Sequence, residues 1–230
     1  MVKIAVAGGT GMEELSGLLR GYDVVLSFIA PYLDQSEAAL AQKNLIDASI
    51  QVGVERFAPS EWASARFEYL PWYSYKAETR QYLEKINKDS KVLDYCLFQP
   101  GLFTNYLAQP YRTSNHLDAI ETPFDFDNRR MIVCAGGDDQ KVTMTTVTDF
   151  ANVVAMAVEY PGDWPVVGGM KGSDLSLRDL LTLGEQLRAG LLSAIDAGAF
   201  QSNDAWNVLL PDYKFEDAES FLSKVWCGKP

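Results

Sequence analysis

Histidine and clustered metal ligands are scarce in this 230-residue chain, and their scarcity argues against whole classes of chemistry. The single histidine, His116, has no second histidine with which to share a metal ion. A Ser-His-Asp hydrolase would need partners that the sequence does not place beside it. The acidic residues are scattered along the chain and form no ligand cluster. We therefore expect neither a hydrolase nor a metal site.

Basic residues are also in short supply. The chain has 20 Lys and Arg against 31 Asp and Glu, which gives a formal net charge of −11. No run of Lys or Arg stands out, and no apolar stretch approaches the length needed to span a membrane. Such a charge disfavours binding to nucleic acid or to an anionic membrane. The sequence leaves the oligomeric state open.

Cysteine is the third rare residue type. Cys96, Cys134 and Cys227 lie far apart and lack the spacing of metal ligands. Met1 is followed at once by the apolar run Val2–Ala7, which leaves no room for a targeting peptide. An odd number of cysteines without a secretory signal indicates a reducing compartment. These features predict a cytoplasmic protein.

Short apolar runs alternate with helical patterns in the first hundred residues. The runs are short and apolar enough to be strands buried on both faces, as a parallel sheet requires. They are Val2–Ala7, Asp23–Ala30, Val54–Ala58 and Leu93–Phe98. Between them, Asp34–Val52 and Ser74–Asn87 place apolar residues along one helical stripe. This alternation predicts an α/β fold with a Rossmann-type, doubly wound parallel sheet.

The pattern changes after Pro100. Met131–Ala135 and Lys141–Val147 flank the turn sequence GGDDQ and predict a hairpin. Three helices are expected in this half: Asp149–Glu159, a helix from the capping box of Ser176 and Asp179 through Arg188, and Phe215–Trp226. We therefore expect a dinucleotide-binding core over residues 1–100. Residues 101–230 would form mainly a smaller α/β substrate lobe, with a segment of about 142–160 returning to the core.

A glycine-rich turn follows the first strand directly. Gly8, Gly9, Thr10 and Gly11 form the sequence GGTG. Glycines at a strand-to-helix turn let the backbone bend tightly and approach a pyrophosphate, whose charge meets N–H groups at the start of the helix. The same four residues also occur in plain loops, but the strand before them favours a dinucleotide-binding turn.

Several segments occur together in a fixed order over most of the chain. They are KIAVAGGTG, DVVLSFIAP, RFAPSEW, WYSYKAETR, FQPGLFTNYL, VTDFANVVAMAV, SLRDLL and FLSKVW. In this order they resemble the NmrA-like and isoflavone-reductase-like branch of the atypical short-chain dehydrogenases, especially its fungal members. The resemblance implies a Rossmann-type core, NADP(H) as the cofactor and reduction by hydride transfer.

The resemblance also implies a cofactor site at the carboxyl ends of the strands. Its residues would be Gly8, Gly9, Thr10, Gly11, Ser27, Phe28, Ile29, Ser60, Glu61, Lys76, Pro100, Gly101, Leu102 and Phe103. For the later segments the alternative is a turn of Pro, Ser and Gly that only ends a strand.

One lysine corresponds to the catalytic residue of the family. Lys76 would act near the nicotinamide as a general acid or base, directly or through a hydroxyl or water. The alternative is an exposed helix lysine, the commonest kind. Trp72 stands where an ordinary short-chain dehydrogenase carries a tyrosine, four residues before the lysine. This difference argues against ordinary alcohol or ketone chemistry.

The chain departs from the family pattern after the glycine-rich turn. Only Met12–Tyr22 separates the turn from the next strand, barely enough for a crossover, and Glu13 and Glu14 would stand near the phosphates. Roughly a βα unit or two of the family pattern is absent between Gly11 and Met12, and a weaker join lies near Gly190. The residues that select NADP over NAD are therefore missing, so NADP(H) rests on the resemblance alone.

Three functions remain open at this point. The first is an NADPH-dependent reductase of a small aromatic, quinone-like or phenylpropanoid-like molecule. The second is a non-catalytic NAD(P)-sensing regulator of the NmrA type that binds a regulatory protein. The third is a shortened relative that folds but holds no dinucleotide.

Clustered aromatic residues could wall a pocket for a flat ligand or only pack the two lobes together. They are Trp62, Phe67, Tyr69, Trp72, Tyr73 and Tyr75.

Overall fold

The computed structural model describes residues 2–7, 12–31, 34–118, 120–125, 130–183 and 195–227. The strands are Ile4–Ala7 (β1), Val24–Ser27 (β2), Arg56–Ala58 (β3), Asp94–Tyr95 (β4), Leu97–Gln99 (β5), Leu102–Phe103 (β6), Phe124–Asp125 (β7), Arg130–Met131 (β8), Lys141–Thr145 (β9), Val167–Gly169 (β10) and Ser173–Ser176 (β11). The helices are Met12–Leu19 (α1), Gln35–Val52 (α2), Ser74–Ile86 (α3), Val147–Glu159 (α4), Leu177–Leu183 (α5), Ala205–Leu209 (α6) and Ala218–Trp226 (α7).

The chain divides into two compact units. The first unit comprises Met1–Trp62, Pro71–Phe98 and Ala155–Gly168. The second unit comprises Ala63–Leu70, Gln99–Val154 and Gly169–Pro230. None of the described helices combines the length and the hydropathy required to cross a membrane.

A parallel sheet forms the centre of the first unit. Its strands lie in the order β1-β2-β3-β4, and each pair of neighbours is parallel. The parallel α/β sheet predicted from the apolar runs is therefore confirmed. Because the strands follow one another in chain order, β1 lies at the edge of the described sheet. A Rossmann sheet ordinarily has strands on both sides of β1, and the order reverses there.

Helices α1, α2 and α3 pack side by side against this sheet. Helix α2 begins after Asp34, whose side chain accepts a hydrogen bond from the Ser36 N–H, and it ends at Gly53 in the left-handed conformation. Leu45 of α2 and Phe57 of β3 are fully buried in the core between helices and sheet. Each such side chain contributes about 1.5–3 kcal/mol through burial. The bounds expected for α2 and α3 are confirmed to within one residue.

The fourth predicted strand is divided in two. Cys96 separates β4, which continues the parallel sheet beside β3, from β5. The N–H of Leu97 donates instead to the carbonyl of Val166, and β5 pairs with β10. The apolar run does form strands, but its first part pairs with β3 and its second part pairs with β10.

The hairpin predicted around GGDDQ is wrong. Strand β9 pairs with β11 in an antiparallel manner and with β6 in parallel, whereas β8 pairs with β7. The GGDDQ loop binds the start of α5, because the carbonyls of Gln140 and Asp138 accept hydrogen bonds from the N–H groups of Leu177 and Arg178. The first N–H groups of a helix have no acceptor within the helix, and here the loop carbonyls supply acceptors. The loop therefore caps a helix and does not close a hairpin.

The capping box at the start of α5 is confirmed. The Ser176 hydroxyl accepts from the Asp179 N–H, and the Asp179 carboxylate accepts from the Ser176 N–H at 2.8 Å. The predicted end at Arg188 and the join near Gly190 lie outside the described residues. The last helix begins later than predicted, because Asp217 caps its first turn and residues from Phe215 to that cap are not helical.

Candidate active site

Strand β2 ends at the carboxyl edge of the sheet in a turn that side-chain hydrogen bonds hold in place. Ser27 is buried, and its hydroxyl oxygen accepts hydrogen bonds from Nε2 of Gln42 at 2.7 Å and from the N–H of Ile29. Phe28 points outward and is 49% exposed, whereas Ile29 is buried. The structure thus gives Ser27 and Ile29 packing contacts at this edge, while Phe28 offers an accessible ring.

A stack of aromatic rings stands beside this turn. Trp62 lies between Phe28, at 4.8 Å between ring centroids, and Phe98, at 5.7 Å. Its indole Nε1 donates to the carbonyl of Ser27 at 2.7 Å. Trp62 also has a φ of 43°, in the left-handed region that non-glycine residues rarely adopt. Local strain of this kind persists only where surrounding contacts hold it, and it is concentrated at functional sites.

Lys76 is buried on the first turn of α3. Only 5% of it is exposed, which excludes the exposed helix lysine left open by the sequence. Its ammonium group donates to the carbonyls of Ser60 at 2.7 Å and Glu61 at 2.5 Å. The rings of Tyr73 and Tyr75 lie 4.9 Å and 5.1 Å from the same nitrogen. Lys76 is therefore held by a carbonyl turn and two aromatic rings.

The surroundings of Lys76 change its protonation. Burial, which disfavours the charged form, lowers the pKa of Lys76 to about 8; the Glu61 carboxylate opposes this effect, and Arg80 adds to it. Burial also raises the pKa of Tyr73 and of Tyr75, so both phenols are neutral near pH 7. With a pKa lowered to about 8, Lys76 can release its proton near neutral pH.

Glu61 has a partner that the sequence reasoning missed. Its carboxylate is completely buried and forms a two-point ion pair with Arg80, with Nε to Oε1 at 3.0 Å and NH2 to Oε2 at 2.5 Å. The signal was present in the sequence, because Lys76 and Arg80 are four residues apart and so share one face of a helix. Ser60, Glu61 and Lys76, predicted as one site, are indeed brought together.

The other predicted site residues have different positions. Gly8, Gly9, Thr10 and Gly11 lie outside the described residues. Pro100–Phe103 belongs to the second unit and contacts other residues of that unit. The carbonyl of Pro100 accepts from the Thr145 hydroxyl, Leu102 pairs with Met144, and Phe103 packs edge-on against Phe150. A role of this segment toward a cofactor stays a prediction.

The clustered aromatic residues are distributed over both units, and their role as the wall of a pocket stays a prediction. Trp62 joins the ring stack of the first unit, and Tyr73 and Tyr75 contact the lysine. Phe67 and Tyr69 belong to the second unit. Among the described residues, no group of three or more His, Cys, Asp or Glu is placed to hold a metal ion.

A parallel sheet covered by helices, with a candidate site at the carboxyl ends of its strands, is the architecture of a Rossmann-type α/β protein. Residues 2–185 match the NmrA-like family, and the chain belongs to that family. No curated protein sequence matches the chain significantly.

Solved structures with the same fold include three reductases. The NADPH-dependent quinone oxidoreductase QOR2 of Escherichia coli, complexed with NADPH, is 19% identical with a TM-score of 0.65, over 96% of this chain and 82% of that chain. The triphenylmethane reductase of Citrobacter sp. is 12% identical with a TM-score of 0.65, over 94% and 80%. The leucoanthocyanidin reductase of Vitis vinifera, in a binary complex with NADPH, is 17% identical with a TM-score of 0.59, over 96% and 89%. At these identities the likeness concerns the fold.

Proposed function

We propose that the chain is an NADPH-dependent reductase of a small aromatic, quinone-like or phenylpropanoid-like molecule. The observation that carries the proposal is the buried Lys76, with a pKa lowered to about 8, at the carboxyl edge of a Rossmann-type sheet. The names of the structural relatives, which are reductases of quinones, triphenylmethane dyes and leucoanthocyanidin, support it.

The residues at this edge fit the nicotinamide end of such a cofactor. Among the described residues, two carbonyls are the hydrogen-bond partners of the Lys76 ammonium group, so one of its three N–H donors remains for a ligand. Phe28 stacks on Trp62 and leaves ring surface exposed for a flat ring. The diphosphate would lie at Gly8–Gly11, outside the described residues.

Lys76 would supply the proton of the reaction. The reduced nicotinamide supplies a hydride to an electrophilic carbon. The oxygen conjugated to that carbon gains the electron pair, and the Lys76 ammonium group would donate a proton to it, directly or through one water. With a pKa of about 8, Lys76 is largely protonated at pH 7 and yet acidic enough to give up its proton. The Ser60 and Glu61 carbonyls, which accept from Nζ, orient it.

The test is a titration followed by a turnover assay. We expect NADPH to bind the purified protein and to be oxidised in the presence of at least one member of a panel of quinones, dyes and phenylpropanoids. Binding without oxidation of NADPH across the panel would support the NAD(P)-sensing regulator. A complete absence of binding would support the shortened relative that holds no dinucleotide, and would contradict the reductase.

The preference for NADPH over NADH should be weak. Residues 8–14 and 28–34, which follow β1 and β2, contain no Lys or Arg. A cation near the ribose ordinarily accommodates the 2′-phosphate that distinguishes NADPH from NADH. We therefore expect the Kd of NADH to lie within about tenfold of that of NADPH, a difference of about 1.4 kcal/mol or less. Calorimetric titration measures both values, and a preference of about a hundredfold would show that a cation elsewhere reads the phosphate.

Phe28 should contribute to cofactor binding through its exposed ring. Replacing it with alanine removes a stacking surface worth about 0.5–1.5 kcal/mol, so the Kd of NADPH should rise about 2–10-fold. Tyr22→Ala is the matched control, because Tyr22 is an exposed aromatic residue just before the amino end of the same strand. Quenching of tryptophan emission reports binding, and equal effects of the two substitutions would argue against Phe28 as a binding surface.

A further inference from the structure

The ion pair between Glu61 and Arg80 is adjacent to the candidate catalytic lysine, because Nζ of Lys76 donates to the carbonyl of Glu61. The Glu61 carboxylate has no exposed surface, and Arg80 binds both of its oxygens. A buried carboxylate is costly without a partner, and a two-point arginine contact satisfies it with fixed geometry. The pair therefore fixes the position of the Glu61 side chain relative to α3.

The backbone of the same glutamate binds the lysine. The carbonyls of Ser60 and Glu61 both accept hydrogen bonds from Nζ of Lys76. On the following residue, Trp62 has a positive φ and anchors its indole to the carbonyl of Ser27. The turn is thus held on one side by Arg80 and on the other by strand β2. Both carbonyls would move if either support were lost.

Helical spacing brings the two cations to this one turn. Lys76 and Arg80 are one helical turn apart on α3, and Lys76 reaches the backbone of Glu61 while Arg80 reaches its side chain. We propose that the buried Arg80–Glu61 pair is a positioning device for Lys76, which holds the Ser60 and Glu61 carbonyls against the ammonium group and so fixes where the proton is delivered. As a statement about catalysis, this proposal rests on the proposed function.

The charges around Lys76 give the proposal a directional signature. Glu61 and Arg80 are the charged groups that act on the lysine, and Tyr73 and Tyr75 face it as neutral rings. Removing the positive neighbour with Arg80→Met should raise the pKa of Lys76 by about half a pH unit or more. Removing the negative neighbour with Glu61→Gln should lower the pKa by a similar amount. General damage to the fold would not shift the two variants in opposite directions.

The titration can be measured without any enzymatic activity. Protein labelled with ¹³C at the lysine ε-carbons gives one resonance per lysine, and Lys76→Met identifies the one that belongs to Lys76. Glu78→Gln is the matched control, because Glu78 is an exposed carboxylate on the same helix that pairs with Lys43. We expect the control to leave the Lys76 midpoint within about 0.2 of the wild-type value. Midpoints that stay this close in both test variants would overturn the proposal.

A kinetic arm tests position separately from charge. Arg80→Lys keeps the charge but loses the two-point contact, so it should leave the Lys76 midpoint nearly unchanged and lower kcat about 10-fold. Arg80→Met should lower kcat about 100-fold with the KM for the reduced substrate little changed. A kcat within about twofold of wild type in Arg80→Met would overturn the positioning role. If the wild type reduces no panel substrate, the proposed function fails, but opposite titration shifts still establish that the Arg80–Glu61 pair acts on Lys76. If Arg80→Met does not fold, the Lys76 midpoint in Glu61→Gln and the kcat of Arg80→Lys are the deciding measurements, and wild-type values of both would overturn the proposal.

Discussion

Replacing Lys76 with methionine should lower kcat by about 10²–10⁴-fold while the Kd of NADPH stays within about twofold. Methionine keeps an unbranched side chain in the buried site, but it removes the proton donor and the two hydrogen bonds from Nζ to the Ser60 and Glu61 carbonyls. Lys76→Ala should give the same loss of turnover. Lys85→Met is the matched control, because Lys85 is an exposed lysine near the end of the same helix. Unchanged turnover in Lys76→Met would remove this residue from the mechanism.

The pH dependence gives the same prediction a second readout. The pKa of Lys76 is lowered by burial to about 8, and the proposed role needs the protonated form. The lysine is protonated below this pH and loses its proton above it. We therefore expect kcat/KM to be level below about pH 8 and to fall about tenfold per pH unit above it. Residual activity in Lys76→Met should lack this fall; a fall retained in the variant would assign it to another group.

The parallel sheet could be predicted from sequence because each strand is recognisable from its own residues. Val24–Ser27 and Arg56–Ala58 lie within continuous apolar runs, which only a strand covered on both faces needs. The helix between them carries its own start and end signals in Asp34 and Gly53. Each of these features is encoded within a few residues of the element that it specifies.

The strand pairings of the second unit could not be predicted from sequence because they connect residues that are far apart in the chain. Strand β9 joins β6 and β11, which are about forty residues upstream and thirty residues downstream of it. Nothing near GGDDQ shows that its carbonyls will accept from the first turn of a helix that begins at Leu177. A local turn signal therefore predicted a hairpin where tertiary contacts place a helix cap.

The candidate site shows the same division. Resemblance to a family identified Lys76 and the segment with Ser60 and Glu61, and the structure brings them together. Burial of the lysine depends on how the 59–62 turn folds over α3, and helix position alone indicated an exposed side chain. Arg80 could have been found from its spacing to Lys76, but only the structure shows that it closes on a buried carboxylate.

Replacing Gly101 with alanine should lower the free energy of unfolding by about 3 kcal/mol or more. Gly101 has a φ of +74°, and a Cβ atom there would lie 2.1 Å from the carbonyl oxygen of Thr143, a backbone atom of β9 that cannot move aside. Two costs therefore add: the left-handed conformation costs about 1–2 kcal/mol for a residue with a Cβ, and the clash costs more. Urea denaturation monitored by tryptophan emission measures the change.

A second glycine separates the two costs. Gly53, at the end of α2, has a φ of +78°, and beyond its own helix and chain neighbours no atom of a described residue lies within 4 Å of an added Cβ. Gly53→Ala should therefore lose only the conformational part, about 1 kcal/mol. The difference between the variants then measures the approach of Gly101 to β9. The pair also decides why glycine stands in the sequence FQPGLF. If Gly101→Ala keeps wild-type stability within about 0.5 kcal/mol but loses NADPH binding, the glycine serves the cofactor; a large loss of stability shows that it serves the contact with Thr143.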